Sequence, residues 1–328
     1  MMRVARPTAV SGRTLNRLIL LVLMAVVLLA IGLVALYASD WWRPAGPSMA
    51  DRQIALFEEE VRKDPKNLNV RLQLAGAYQA ANRDDDALAQ YNAVLVAQPD
   101  YKSALLGRGQ LLLQSGDSAG AAKDFQAIVD GAKGGEFSPL DIQLGQAYYG
   151  LAKIKLQAGD ATSALDLSQQ ALKIMATDAD TLALVGSSYL ATGDTKNAIN
   201  YLRQALMFVP AGWPDPYTTL AKAYTTAGQP EEAAWAGAMV DFANKDYDKA
   251  ISELTPLASG PAAADAETGL GLALEGKGDM AGAAGWYRKA VAADPNNFTA
   301  TSGLGRTTNS GNPHPSLALP GASVSAGS

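Results

Sequence analysis

One motif returns along this chain at a nearly constant interval, and that recurrence constrains the fold more than any other feature of its 328 residues. Its clearest copy is Ala179–Pro210, ADTLALVGSSYLATGDTKNAINYLRQALMFVP. Leu182, Val185, Gly186 and Tyr189 fall at intervals of three and four, so they share one stripe of a helix. Gly193 tolerates the positive φ that ends such a helix, and Asp194 can cap the next. Ala198, Leu202 and Ala205 then make a second stripe, and Pro210 stops the unit. Two short helices, each apolar along one side, pack as a hairpin.

The nine positions Leu182, Val185, Gly186, Tyr189, Gly193, Ala198, Leu202, Ala205 and Pro210 carry a resemblance to a known family. At them this unit resembles the tetratricopeptide repeat, a helix–turn–helix of about 34 residues. The small residues Gly186 and Ala198 belong where the two helices approach most closely. Further copies follow in phase. One has Leu74, Ala75, Tyr78, Ala87, Tyr91 and Pro99, and the next has Gly109, Leu112, Gly116, Ala121 and Phe125, with Arg108 where the pattern has Leu. The last clear copy spans Ala264–Pro295. The expected fold is therefore all-α: a helical-hairpin solenoid of about seven repeats over residues 50–308.

The phase slips twice. Ala121 to Ala164 is 43 residues, and the surplus falls on the Gly/Pro-rich stretch at 131–139, read as an inserted loop. Ala233 to Ala250 is only 17, half a repeat, so one helix near 230–245 is extra or shared between two hairpins. Phe298–Thr307 is read as a closing helix, and residues 309–328, rich in Pro, Gly and Ser, as a disordered tail.

Ahead of the array, Leu18–Ala38 is 21 residues without a charge, long enough for a hydrocarbon core of about 30 Å. Arg3, Arg6, Arg13 and Arg17 precede it, and Tyr37, Trp41 and Trp42 follow as an interfacial belt. The expectation is a basic cytoplasmic segment at 1–17, an uncleaved membrane-spanning helix at 18–38, a linker at 39–49, and repeats outside the cytoplasm of a bacterial cell. Residues 1–50 hold five Arg against one Asp, while the remainder holds 22 basic against 31 acidic residues. An acidic array without a basic stripe argues against nucleic acid.

Chemistry-bearing residues are scarce. There is no cysteine, and the single histidine, His314, lies in the tail. No phosphate-cradling GxxxxGK run or HExxH is present, and Gly269-Leu270-Gly271 sits inside a repeat rather than after a strand. Asp84–Asp86 lack the alternating spacing of a calcium loop and suit a helix N-terminus, while Glu58–Glu60 read as a solvated helix face. No catalysis, cofactor, metal or small-molecule substrate is expected.

The resemblance implies a groove lined by the first helix of each hairpin. At its lining positions stand Asn69, Leu72 and Gln79, then Leu106 and Gln110, then Tyr149 and Lys153, then Asp180 and Ser187. This mixture suits an extended peptide or partner helix. A Lys/Asn clamp for carboxylate-terminated tails is missing, since those places hold Leu72 and Gly76, then Leu106 and Gln110. The implied function is a membrane-anchored adaptor of the cell envelope. The alternatives are an extracytoplasmic chaperone or assembly factor, and a component of a polysaccharide-export or cell-division machine.

Overall fold

The computed structural model describes residues 23–24, 26–34, 48–132, 140–208 and 211–308. They are organised as two compact units that divide after Arg83. In the first unit residues 26–34 are helical, and their large apolar side chains from Val26 to Val34 are each more than half exposed. Among the described residues no helix is long and apolar enough to cross a membrane. The rest of the expected span at 18–38, residue 25 included, lies outside the described residues, as do the tail at 309–328 and most of the expected loop at 131–139.

Two further helices complete the first unit: α1 (Met49–Lys63) and α2 (Leu68–Ala80). Ser48 and Asp51 form a reciprocal capping box that starts α1. Glu58 is half-buried and accepts a hydrogen bond from the Tyr78 hydroxyl at 2.7 Å, so this member of the acidic triplet is a packing partner rather than part of a solvated face.

The second unit holds α3 (Asp84–Ala97), α4 (Lys102–Gln114), α5 (Ser118–Ala132), α6 (Ile142–Gln157), α7 (Ala161–Ile174), α8 (Ala179–Ala191), α9 (Thr195–Phe208), α10 (Pro214–Thr226) and α11 (Pro230–Ala243). A short α12 (Tyr247–Leu254) and a 3-10 turn follow, then α13 (Ala263–Lys277), α14 (Met280–Ala293) and α15 (Phe298–Thr308). Asp141, Asp160, Asp178, Asp246 and Asp279 each accept a backbone N–H of the helix they precede. Such caps satisfy donors that a helix start leaves open.

The hairpin turns obey one rule. Gly116, Gly159, Gly193, Gly228 and Gly278 all have φ between +73° and +91°, and Lys245 takes the same turn position with φ of 67°. At several of these turns the following N–H reaches a carbonyl five residues back, as in Asp194 to Tyr189, Asp246 to Asp241 and Asp279 to Leu274. That 6→1 closure is the Schellman ending of a helix. Five residues after the turn residue, Ala121, Ala164, Ala198, Ala250 and Ala283 are completely buried, while Ala233, after Gly228, is half-buried. A Cβ on Gly186 would lie 2.7 Å from Leu202 Cγ and 3.1 Å from the Ala198 carbonyl oxygen, which is why the crossing needs glycine there.

The half-repeat slip has a direct structural form. First helices touch first helices along α4, α6, α8 and α10, and this layer then resumes as α11, α13 and α15. Helix α11 is the second helix of the hairpin it forms with α10, and it is also the first helix of the hairpin it forms with α12. It is shared, and the Lys245 turn is its second hairpin's bend. One apolar core nevertheless runs unbroken from Leu182 to Ala273, because stacked repeats bury each other's faces. Helix α15 covers the last hairpin, with Ala300, Gly303 and Thr307 buried.

Candidate functional site

Helices α4, α6 and the start of α8 border a cleft of about 450 Å³. Helix α6 supplies Gln146, Tyr149, Gly150, Lys153 and Gln157, whose spacing of three and four places them on one stripe. Helix α4 contributes Gln110 and Gln114, one turn apart, and Asp178 and Asp180 stand at the start of α8. Phe125 reaches the cleft from α5 and is otherwise buried. Its ring fits between two helices only because Gly109 and Gly150 lack side chains. A Cβ would come within 2.7 Å of the ring at Gly109 and 2.4 Å at Gly150.

The electrostatics are acidic with one cation. Burial, then Asp180, then Asp178 push the Tyr149 hydroxyl up to about 12, so it stays protonated and can donate. Burial and the neighbouring Asp178 raise the Asp180 carboxyl, and Lys153 partly opposes them. Asp178 is committed to capping α8, accepting from the Thr181 N–H at 2.8 Å and from its hydroxyl at 2.6 Å. Among the described residues Lys153 and Asp180 form no ion pair within 4 Å with each other or with another group. Both charges remain available to a ligand.

The structure thus brings four of the nine expected groove residues, Gln110, Tyr149, Lys153 and Asp180, to one place. Leu106 requires a correction: it is only 7% exposed and packs in the core. Nearby, Gly107 and Gly109 lie against the Tyr91 and Phe125 rings, so this part of α4 packs closely on its neighbours. Ser187 is half-buried, and its hydroxyl is spent on the Ala183 carbonyl of its own helix at 2.8 Å. Asn69, Leu72 and Gln79 lie on α2 of the first unit, Asn69 exposed and the other two half-buried. The sequence reading omitted Gln114, Gln146, Gln157 and Asp178. A step of three or four residues along the helix from Gln110, Tyr149 and Lys153 would have reached the three glutamines. Among the described residues no cluster of three His, Cys, Asp or Glu side chains is arranged to hold a metal ion.

Comparison with known proteins matches residues 72–136 and 236–298 to one family model described as tetratricopeptide repeat, and residues 179–208 to another with the same description. DnaJ homolog subfamily C member 3 of Rattus norvegicus is 27% identical over 168 residues, which cover 49% of this chain and 33% of that protein. The chain thus spans about a third of the length of that curated relative. Among solved structures, MamA is 20% identical with a TM-score of 0.46, over 56% of this chain and 96% of that one. YrrB, described as a TPR protein with an unusual peptide-binding site, is 16% identical with a TM-score of 0.47, over 60% of this chain and 96% of that one. The second match, residues 236–298, begins inside α11, the helix shared by two hairpins. The repeats matched at residues 72–136, 179–208 and 236–298 are tetratricopeptide repeats.

Proposed function

We propose that the chain is a membrane-anchored adaptor of the cell envelope, and that the cleft around Tyr149 holds an extended segment of a protein partner without catalysis. Tetratricopeptide-repeat proteins bind peptide or protein partners, and the cleft carries the reading for this chain. Four glutamines, Gln110, Gln114, Gln146 and Gln157, surround it. Each carries an amide that can donate and accept at once, the pairing a peptide main chain requires. Tyr149 adds a protonated hydroxyl, and Asp180 and Lys153 each offer a charge to a side chain of the ligand.

The anchor rests on the uncharged run 18–38 and on the exposure of its described part. Leu28, Leu29, Leu33 and Val34 are 65–69% exposed, and apolar surface of that extent is stabilised by transfer out of water. The four arginines before it orient the N-terminus to the cytoplasm and the repeats to the outside.

A photo-crosslinking amino acid at position 149 of the full chain, in cells, tests the partner. One dominant crosslinked protein in the membrane fraction is the expected result. A smear of many newly exported chains would replace the adaptor with a chaperone, and no crosslink beyond that of a substitution on the opposite face would remove the cleft from the function. For the anchor, carbonate extraction should leave the chain in the membrane pellet, and external protease should digest the repeats. Recovery in the soluble fraction would refute it.

A further inference from the structure

We propose that the shared helix creates a second binding cleft, built around Trp235, which takes a large apolar side chain of a partner peptide flanked by a basic residue. This site lies where the layer of first helices passes from α10 to α11, and it stands independently of the Tyr149 cleft. It encloses about 380 Å³, the size range of built ligand sites. Leu206 and Met207 come from α9, Tyr217 from α10, and Trp235 and Met239 from α11. Helix α13 contributes Asp265 and Leu272, and Phe298 opens α15. The half-repeat slip adds α11 to the wall, so that side chains of α9, α10, α11, α13 and α15 all reach one cleft.

Three observations describe the site. First, Trp235 is 8% exposed, and its Nε1–H is the one buried side-chain polar atom without a hydrogen-bond partner among the described residues. A buried donor without an acceptor is costly and calls for an explanation. Its ring is fixed on several sides. Tyr217 and Tyr224 meet it edge-on at 6.2 and 6.5 Å, and the Arg203 guanidinium sits 5.5 Å from its centroid. Second, the apolar lining is uncovered and adaptable: Met207 is 59% and Phe298 61% exposed, and methionine conforms to ligands of varied shape. Third, the charge is specific. Arg203 is engaged by Asp265 through two hydrogen bonds of 2.7 and 2.9 Å, and it also donates to the Tyr224 hydroxyl at 3.0 Å. The pair is neutral as a unit, which leaves Asp294 at the rim as the uncompensated charge. The cleft therefore disfavours a carboxylate and favours Lys or Arg beside the apolar anchor.

The test uses the full chain with its tryptophan indoles labelled with nitrogen-15, the Trp235 signal being assigned by Trp235→Phe. The probes are acetylated and amidated nonapeptides with central Phe, Leu or Ser and flanking Lys or Glu. Lys-flanked Phe and Leu peptides should shift the Trp235 indole signal, because its ring lines the cleft. Central Ser or flanking Glu should weaken binding by about tenfold. Phe298→Ser, an exposed position, should weaken it by about fivefold, and Tyr149→Ala should leave it unchanged. A stationary Trp235 signal at millimolar peptide overturns the proposal, as does equal binding of the Ser peptide. So does a response abolished by Tyr149→Ala and kept in Phe298→Ser, and so does an equal response to detergent alone, which would identify an acyl-chain site. The Tyr149 crosslink reads the other cleft separately, so either reading can fail without the other.

Discussion

Lys245 shows how strictly each residue of a repeat is placed. It occupies the turn position that glycine takes at five other hairpins, with φ of 67°, although a side chain there crowds the following carbonyl. Lys245→Gly should raise the stability of the second unit by about 0.5–1 kcal/mol in urea unfolding, the strain removed being larger than the entropy glycine adds. A fall in stability would show that the lysine contributes a contact that outweighs its backbone. Arg108 is the complementary case, since it departs from the repeat pattern and is compensated. It reaches the almost fully buried Asp124 through two hydrogen bonds of 2.7 and 2.8 Å and also donates to Asn92 at 2.7 Å. Asp124→Ala should cost about 1–3 kcal/mol, because it strands a partly buried guanidinium. The double variant Arg108→Leu/Asp124→Ala should recover part of that loss. The sequence marked Arg108 as unusual but did not reveal Asp124 as its partner, because the pairing depends on how α4 and α5 cross.

Between elements, close approach decides more than propensity. Alanine favours a helix over glycine by about 1 kcal/mol, yet Gly186→Ala should lower stability by about 1–3 kcal/mol, since the new Cβ would press on the fully buried Leu202 and on the backbone of α9. A rise in melting temperature would contradict that geometry. The junction of α14 and α15 makes a different prediction. Tyr287 is completely buried and donates to Glu275 at 2.6 Å, and Arg306 holds the same carboxylate with bonds of 2.6 and 2.8 Å. Burial alone would raise the Glu275 carboxyl, but the bonds from Arg306 and Tyr287 outweigh it and keep it below its ordinary value. Its contribution is therefore complete above the unfolded value of about 4.3 and is lost as pH falls through the lower folded one. Hydrogen-exchange protection at 280–308, relative to the intrinsic rate at each pH, should fall over that acid range in the native chain. In Glu275→Gln the exchange should be faster at neutral pH and less dependent on acid.

For the second unit as a whole, nearest-neighbour packing makes stability local. Removing α15 by truncation after Asn297 uncovers the Tyr287 ring, which Gly303 contacts closely. Exchange should then rise in α14 and leave α8 and α9 unchanged, and loss of protection throughout would show a fully cooperative unit instead. The helical hairpins, their caps and their turns were legible in the sequence, because each follows from contacts within a single repeat: the glycine turn, the buried alanine five residues later, the aspartate cap. The Tyr149 cleft was half legible, since a helix stripe can be counted from one residue, whereas the burial of Leu106 depends on how α4 packs against its neighbours. The cleft at Trp235 was not legible at all. A spacing of 17 between Ala233 and Ala250 announced an irregular helix, but whether that helix was extra or shared is a question of which neighbours it touches. The sequence by itself determined the repeating unit, whose information is local. Only the tertiary structure decided that α11 serves two hairpins and gathers Arg203, Trp235, Asp265 and Phe298 around one cleft, because side chains from separate repeats meet there through stacking rather than through any periodicity of the chain.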